Sequence, residues 1–176
     1  MMSSSLPELH EKIINPNDLV LDGTKVGWYP ERIAMLIWKW GEEELAGIDE
    51  PDKFQLGNLR WLGWEMRARR EEFERSGSAP KILDILASGR GVGKSVNVAM
   101  LVVVFMASWP DCKVSVLANT GGQLETKTWP AIRTWLRRSL VAHWFEVNSS
   151  IMYRKGARDS WFATPITWSL ENPQAS

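Results

Sequence analysis

Residues 82–95 read Ile82-Leu83-Asp84-Ile85-Leu86-Ala87-Ser88-Gly89-Arg90-Gly91-Val92-Gly93-Lys94-Ser95. The first five are strand-like, three glycines follow at alternate positions, and Lys94 and Ser95 open an apolar stretch of helical character. Glycines let a backbone curl until successive N–H groups converge on one anion. Between a strand and a helix, such a loop cradles phosphate oxygens. The lysine at its end reaches the β- and γ-phosphates, and the next hydroxyl takes Mg2+. The positive end of the helix dipole falls on the same spot. This pattern predicts a strand over 82–86, a phosphate-binding loop over 88–95 and a helix over 96–107.

The usual spacing is Gly-x4-Gly-Lys-Ser/Thr, and Ser88 stands where its first glycine falls. A glycine-rich surface turn with a solvated lysine is the plain alternative. It leaves the three alternating glycines before Lys94-Ser95 unexplained. A dinucleotide-binding loop needs Gly-x-Gly-x-x-Gly and an acid at the end of the next strand, and the chain has neither. Arg90, inside the loop, is placed either to reach a γ-phosphate or to stay in solvent.

Upstream, Pro30 suits a first helical turn, with Ile33, Leu36, Ile37 and Trp40 on one face and Gly41 at its end. Residues 48–55 lead into a second helix with Leu56, Leu59, Gly63, Met66 and Phe73 near helical spacing. Ser76-Gly77-Ser78-Ala79-Pro80 breaks the chain before the predicted strand. Downstream, Trp109-Pro110-Asp111 is a turn and Lys113–Ala118 a second strand. Asn119-Thr120-Gly121-Gly122 lies at that strand's C-terminal end, the edge where ligands bind open α/β sheets. Gln123–Leu140 is expected as a third helix, and Trp144–Val147, Ile151–Arg154 and Ile166–Leu170 as short strands, with Asn148-Ser149-Ser150 a hairpin turn. Strand and helix alternate around the loop, which predicts α/β architecture: a P-loop NTPase-type parallel sheet flanked by helices.

The chain has 176 residues and is 44% hydrophobic, enough for a core. Its formal net charge of zero hides an asymmetry. Residues 1–80 hold 10 basic and 15 acidic side chains, and residues 81–176 hold 11 and 6. The basic half carries the glycine-rich loop, so an anionic partner suits that side. Cys112 is the single cysteine, which excludes an internal disulfide and suits a cytoplasmic setting. Met1–Pro16 has no apolar stretch of the kind a secretory signal needs. The longest apolar run, Val98–Ala107, is far below the ~20 residues that cross a bilayer. Asn148-Ser149-Ser150 fits a glycosylation acceptor but would be idle inside a cell. The 11 tryptophans are spread along the whole chain, and packing explains most of them.

Three stretches, in order, resemble the large terminase subunit of tailed phages. Ala87–Ser95 resembles that family's altered Walker A motif, in which a small residue replaces the first glycine and an arginine lies within the loop. Leu117–Pro130 resembles the segment after the second strand of the same ATPase. Pro51-Asp52-Lys53-Phe54-Gln55 resembles its upstream adenine-contacting segment. Residues 45–176 are then a partial ATPase domain preceded by a helical or irregular segment, 1–44.

The resemblance implies a motor in which ATP hydrolysis drives double-stranded DNA into a procapsid, with a nuclease domain further along. Its partners would be the small terminase subunit and the procapsid portal, in an oligomer with no membrane role. By position, Gln55 would contact adenine, while Ser88, Gly89, Arg90, Gly91, Val92, Gly93, Lys94 and Ser95 would wrap the phosphates of ATP. Lys94 and Arg90 would act on the transferring group, and Ser95 would hold Mg2+. The departure from the family is the lack of a Walker B strand, an apolar run ending in an acid that positions Mg2+ beside a glutamate that activates water. The lone Glu171 before Asn172-Pro173 does not supply one. The chain therefore reads as the N-terminal portion of such a protein. The alternatives are a truncated prophage product that binds nucleotide without turnover, and another helicase-like P-loop ATPase.

Overall fold

The computed structural model describes residues 20–21, 24–25, 28–85, 93–118 and 121–167. The chain forms two compact units, residues 1–94 and 95–176.

In the first unit, Val20–Leu21 (β1) and Thr24–Lys25 (β2) form a short antiparallel pair. Helix α1, Pro30–Ile37, starts on its proline and buries Ile33, Ala34 and Ile37. It ends before the expected Gly41 because Trp38 turns extended, at φ −116°. The indole of Trp40 then donates back to the Ala34 carbonyl at 3.0 Å, and Gly41 takes a left-handed φ of 76°.

Helix α2, Lys53–Ser76, is 24 residues long, with both ends set by local chemistry. Asp52 caps its start, and Gly77, at φ 72°, closes its end through an N–H bond to the Phe73 carbonyl. Its first half buries Gln55, Leu56, Asn58, Leu59, Leu62, Gly63 and Met66. Gly63 is where α1 comes close, since a Cβ there would lie 2.9 Å from Pro30 Cδ. Arg67 reinforces the crossing by donating to the Trp28 carbonyl at 2.7 Å and lying 4.4 Å from the Tyr29 ring centre. The second half is solvated and carries the ion pairs Arg69–Glu65, Arg69–Glu72 and Arg70–Glu74. Phe73, expected on the buried face, is exposed.

The predicted strand 82–86 is not found. Residues 81–85 belong to no strand, and Leu83 and Ile85 are 76% and 77% exposed. Leu86 lies outside the described residues. A β-rich run becomes a strand only when a neighbour supplies ladder bonds, and that is a non-local condition.

Helix α3, Lys94–Ser108, forms where a helix was expected and is buried around most of its circumference. The second unit continues through a turn at Asp111, φ 57°, into β3, Lys113–Ala118, with the expected bounds. The expected third helix is broken into three. A single turn, Gly121–Gln123, leads to a widened π turn, Leu124–Thr128, and then to α4, Trp129–Arg137. Pro130 is the cause. It has no N–H for the Thr126 carbonyl and its ring crowds that turn, so Trp129 N–H bonds to Leu124 instead.

Strands β4 (Phe145–Val147), β5 (Met152–Arg154) and β6 (Phe162–Thr167) complete the sheet, in the order β3-β6-β5-β4. β3 and β6 run parallel over six pairs, from Lys113 with Phe162 to Ala118 with Thr167, while β4–β5 and β5–β6 are antiparallel. The architecture is α/β as expected, but the sheet is mixed and not parallel. The hairpin at 148–150 forms because the Asn148 side chain accepts from the N–H groups of Ser150 and Ile151. β6 begins at Phe162, earlier than expected, and residues 168–170 lie outside the described set.

The core of this unit holds Met100, Val103, Met106, Val116, Leu124, Ile132, Leu136, Phe145, Met152 and Ala163, all buried. Tryptophans act here largely as packing groups with a polar tip. Trp161 donates to the Met106 carbonyl at 3.0 Å and Trp129 to the Asn148 carbonyl at 2.7 Å. The Arg154 guanidinium sits 4.9, 5.8 and 5.6 Å from the rings of Trp144, Phe145 and Trp161. Among the described residues no helix is long and apolar enough to cross a membrane.

Candidate nucleotide-binding site

The first turn of α2 is built by Asp52 and Gln55. Asp52 Oδ1 accepts from the Gln55 N–H at 2.9 Å, and Gln55 Oε1 accepts from the Asp52 N–H at 3.2 Å. This reciprocal pair satisfies two backbone donors that a helix start otherwise leaves open. It also locks the Gln55 side chain, which is only 6% exposed.

The other end of that amide meets the glycine-rich segment. Gly93 has φ 75°, a left-handed conformation that suits glycine. A Cβ built there would stand 2.8 Å from Gln55 Nε2 and 3.4 Å from Asp52 Oδ2. Gly93 therefore has two reasons to lack a side chain, its dihedral and the approach of Gln55. Lys94 and Ser95 follow as the first residues of α3, both exposed. The first four N–H groups of a helix have no partner within it, so this terminus carries a positive dipole end.

One turn along α2, Asn58 faces the same way as Gln55. It is buried, and its Nδ2 donates to the Asp84 carboxylate in a short bond. The same face of α2 thus touches the chain at Asp84 and again at Gly93. Ser88, Gly89, Arg90, Gly91 and Val92 lie between these points, outside the described residues, as do Asn119 and Thr120.

Of the expected site residues, the structure brings Gln55 to Gly93 and puts Lys94 and Ser95 at a helix start. Gln55 faces inward, with its oxygen held by the helix cap and its nitrogen against Gly93. Asp52, Asn58 and Asp84 were not singled out by the sequence reading. The Asp-x-x-Gln spacing ahead of an apolar run is a capping-box signature and could have revealed Asp52. Asn58, polar and three residues on within an apolar stripe, could have revealed the second contact.

Among the described residues there is no group of three or more His, Cys, Asp or Glu placed to hold a metal ion. Mg2+ on a nucleotide keeps several waters and takes phosphate oxygens, using one or two protein ligands. An exposed hydroxyl at Ser95, in the first turn of a helix, fits that limited demand.

No family model, curated protein or solved structure matches the chain.

Proposed function

We propose that this chain binds ATP with Mg2+ through residues 88–95 and is the N-terminal portion of a phage DNA-packaging ATPase. The observation that carries the reading is Gly93. It is left-handed, has no room for a side chain, and stands directly before Lys94 and Ser95 at the start of a 15-residue helix. A loop that leads tightly into a helix start beside a lysine suits a polyphosphate anion.

In this reading the first-turn N–H groups of α3 accept phosphate oxygens, and Lys94 supplies a compact positive charge to the β- and γ-phosphates. Ser95 offers its hydroxyl to Mg2+, which when bound neutralises phosphate charge. Arg90 adds a second cation from within the loop. Coupling to double-stranded DNA, and assembly with a small terminase subunit and a portal, rest on the resemblance described above.

A second reading, binding without turnover, is favoured by the ends of the strands. The parallel pair β3 and β6 ends in Ala118 and Thr167, neither of them an acid that could position Mg2+ or activate water.

The test is titration of a fluorescent ATP analogue with Mg2+, alongside a phosphate-release assay, on the chain and on Lys94→Ala. We expect saturable binding by the chain, none by Lys94→Ala, and no phosphate release by either. Equal binding by both proteins would overturn the nucleotide site. Release that Lys94→Ala abolishes would overturn the non-catalytic reading.

A further inference from the structure

We infer that Gln55 and Asn58 are positioning residues that set the two ends of the glycine-rich segment from one face of α2, and that they act on the triphosphate regardless of the base attached to it. The inference rests on the nucleotide reading above, but it gives Gln55 a different role from the adenine contact that the resemblance implies.

Both amide side chains are buried polar groups on an otherwise apolar stripe, three residues apart and hence neighbours on the helix surface. Such burial is costly unless each group has a fixed partner. Asn58 has Asp84, on the near side of the segment. Gln55 has the Asp52 N–H for its oxygen, and its nitrogen packs where a Gly93 Cβ would lie, on the far side. A residue that read adenine by hydrogen bonding would present both its amide oxygen and its nitrogen to the base edge. Here the oxygen is committed to the helix cap. With α2 rigid and capped, the two contacts fix the separation of Asp84 and Gly93, and so the closure of the loop they bracket. Loop shape governs how well backbone N–H groups converge on phosphate, and it carries no information about the base.

The test measures affinity for ATP, GTP and inorganic tripolyphosphate, each with Mg2+, by calorimetry. The proteins compared are the full chain, Gln55→Ala, Gln55→Glu, Asn58→Ala and Lys94→Ala. Gln55→Glu keeps the helix start, because a glutamate at that position still accepts from the Asp52 N–H. It places a carboxylate against Gly93, so all three ligands should weaken together by about tenfold. Gln55→Ala and Asn58→Ala should each weaken all three by about fivefold, with helical content retained in circular dichroism.

A loss confined to ATP in Gln55→Ala would overturn the inference and make Gln55 a base reader. Unchanged affinities in Asn58→Ala and Gln55→Glu would overturn it as well. Its failure is distinguishable from failure of the nucleotide site. In the latter case the unsubstituted chain binds none of the three ligands, or Lys94→Ala binds them as well as it does, and the positioning role falls with the site.

Discussion

Replacing Gly93 with alanine tests the packing at the loop directly, because its cost separates into two parts. The first is the left-handed backbone at φ 75°. An L-residue with a Cβ pays about 1–2 kcal/mol there. The second is steric. The new Cβ would meet Gln55 Nε2 at 2.8 Å, closer than real Cβ contacts allow. Gln55 cannot swing away freely, because its Oε1 is bound to the Asp52 N–H and its backbone N–H to Asp52 Oδ1. Forcing it off its rotamer costs about 0.5–1.5 kcal/mol. Gly93→Ala should therefore destabilise the fold by about 2–3 kcal/mol.

The assay is urea denaturation of four proteins: the unsubstituted chain, Gly93→Ala, Gln55→Ala and the double variant. With Gln55 shortened, the steric part vanishes and the dihedral part stays. Gly93→Ala should then cost about 1 kcal/mol less in the Gln55→Ala background, a coupling well above the ~0.3–0.5 kcal/mol scatter of independent sites. Equal costs in both backgrounds would refute the contact. Stabilisation by Gly93→Ala would refute the left-handed conformation itself, since glycine-to-alanine changes at compatible dihedrals gain about 0.4–1 kcal/mol.

Gly63→Ala should destabilise the first unit even though alanine is the better helix former. The propensity gain of about 1 kcal/mol is outweighed by a Cβ placed 2.9 Å from Pro30 Cδ, where overpacking costs about 1–3 kcal/mol. A rise in melting temperature would refute the close crossing of α1 and α2. Burial pushes the Cys112 thiol up to about 11, so its protonated form is the one the fold favours. The stability tied to that preference is fully present below the ordinary thiol value of 9.0 and is lost as pH rises towards 11. Reaction with a thiol-specific disulfide reagent should stay slow at pH 8 and accelerate only well above pH 9. Rapid reaction at pH 8 would contradict the buried setting.

Much of the chain was legible because its signals are local. Pro30 at a first turn, the Asp52–Gln55 spacing and Gly77 at a helix end depend only on residues within one turn of each other. The strand 113–118 and the hairpin at 148–150 were read from alternation and from the Asn148 turn. Pro130 was also a local signal, and the reading passed over it when it extended one helix from 123 to 140. The site was legible in the same way, since Gly93-Lys94-Ser95 announces itself by composition and spacing. The inward face of Gln55 was not legible, because a glutamine in the first turn of a helix can point outwards or inwards with the same sequence.

The sequence by itself determined where helices start and stop, that the class is α/β, and that a glycine-rich turn runs into a helix at Lys94. All of these follow from dihedral preferences, capping groups and hydrophobic period, which act over three or four residues. Only the tertiary structure decided that the sheet is mixed, that residues 82–85 stand outside any strand, and that Asn58 and Gln55 meet the chain at Asp84 and Gly93. Strand pairing and buried polar contacts join residues tens of positions apart. Their energies depend on which surfaces the rest of the chain brings to them, and no local pattern carries that information.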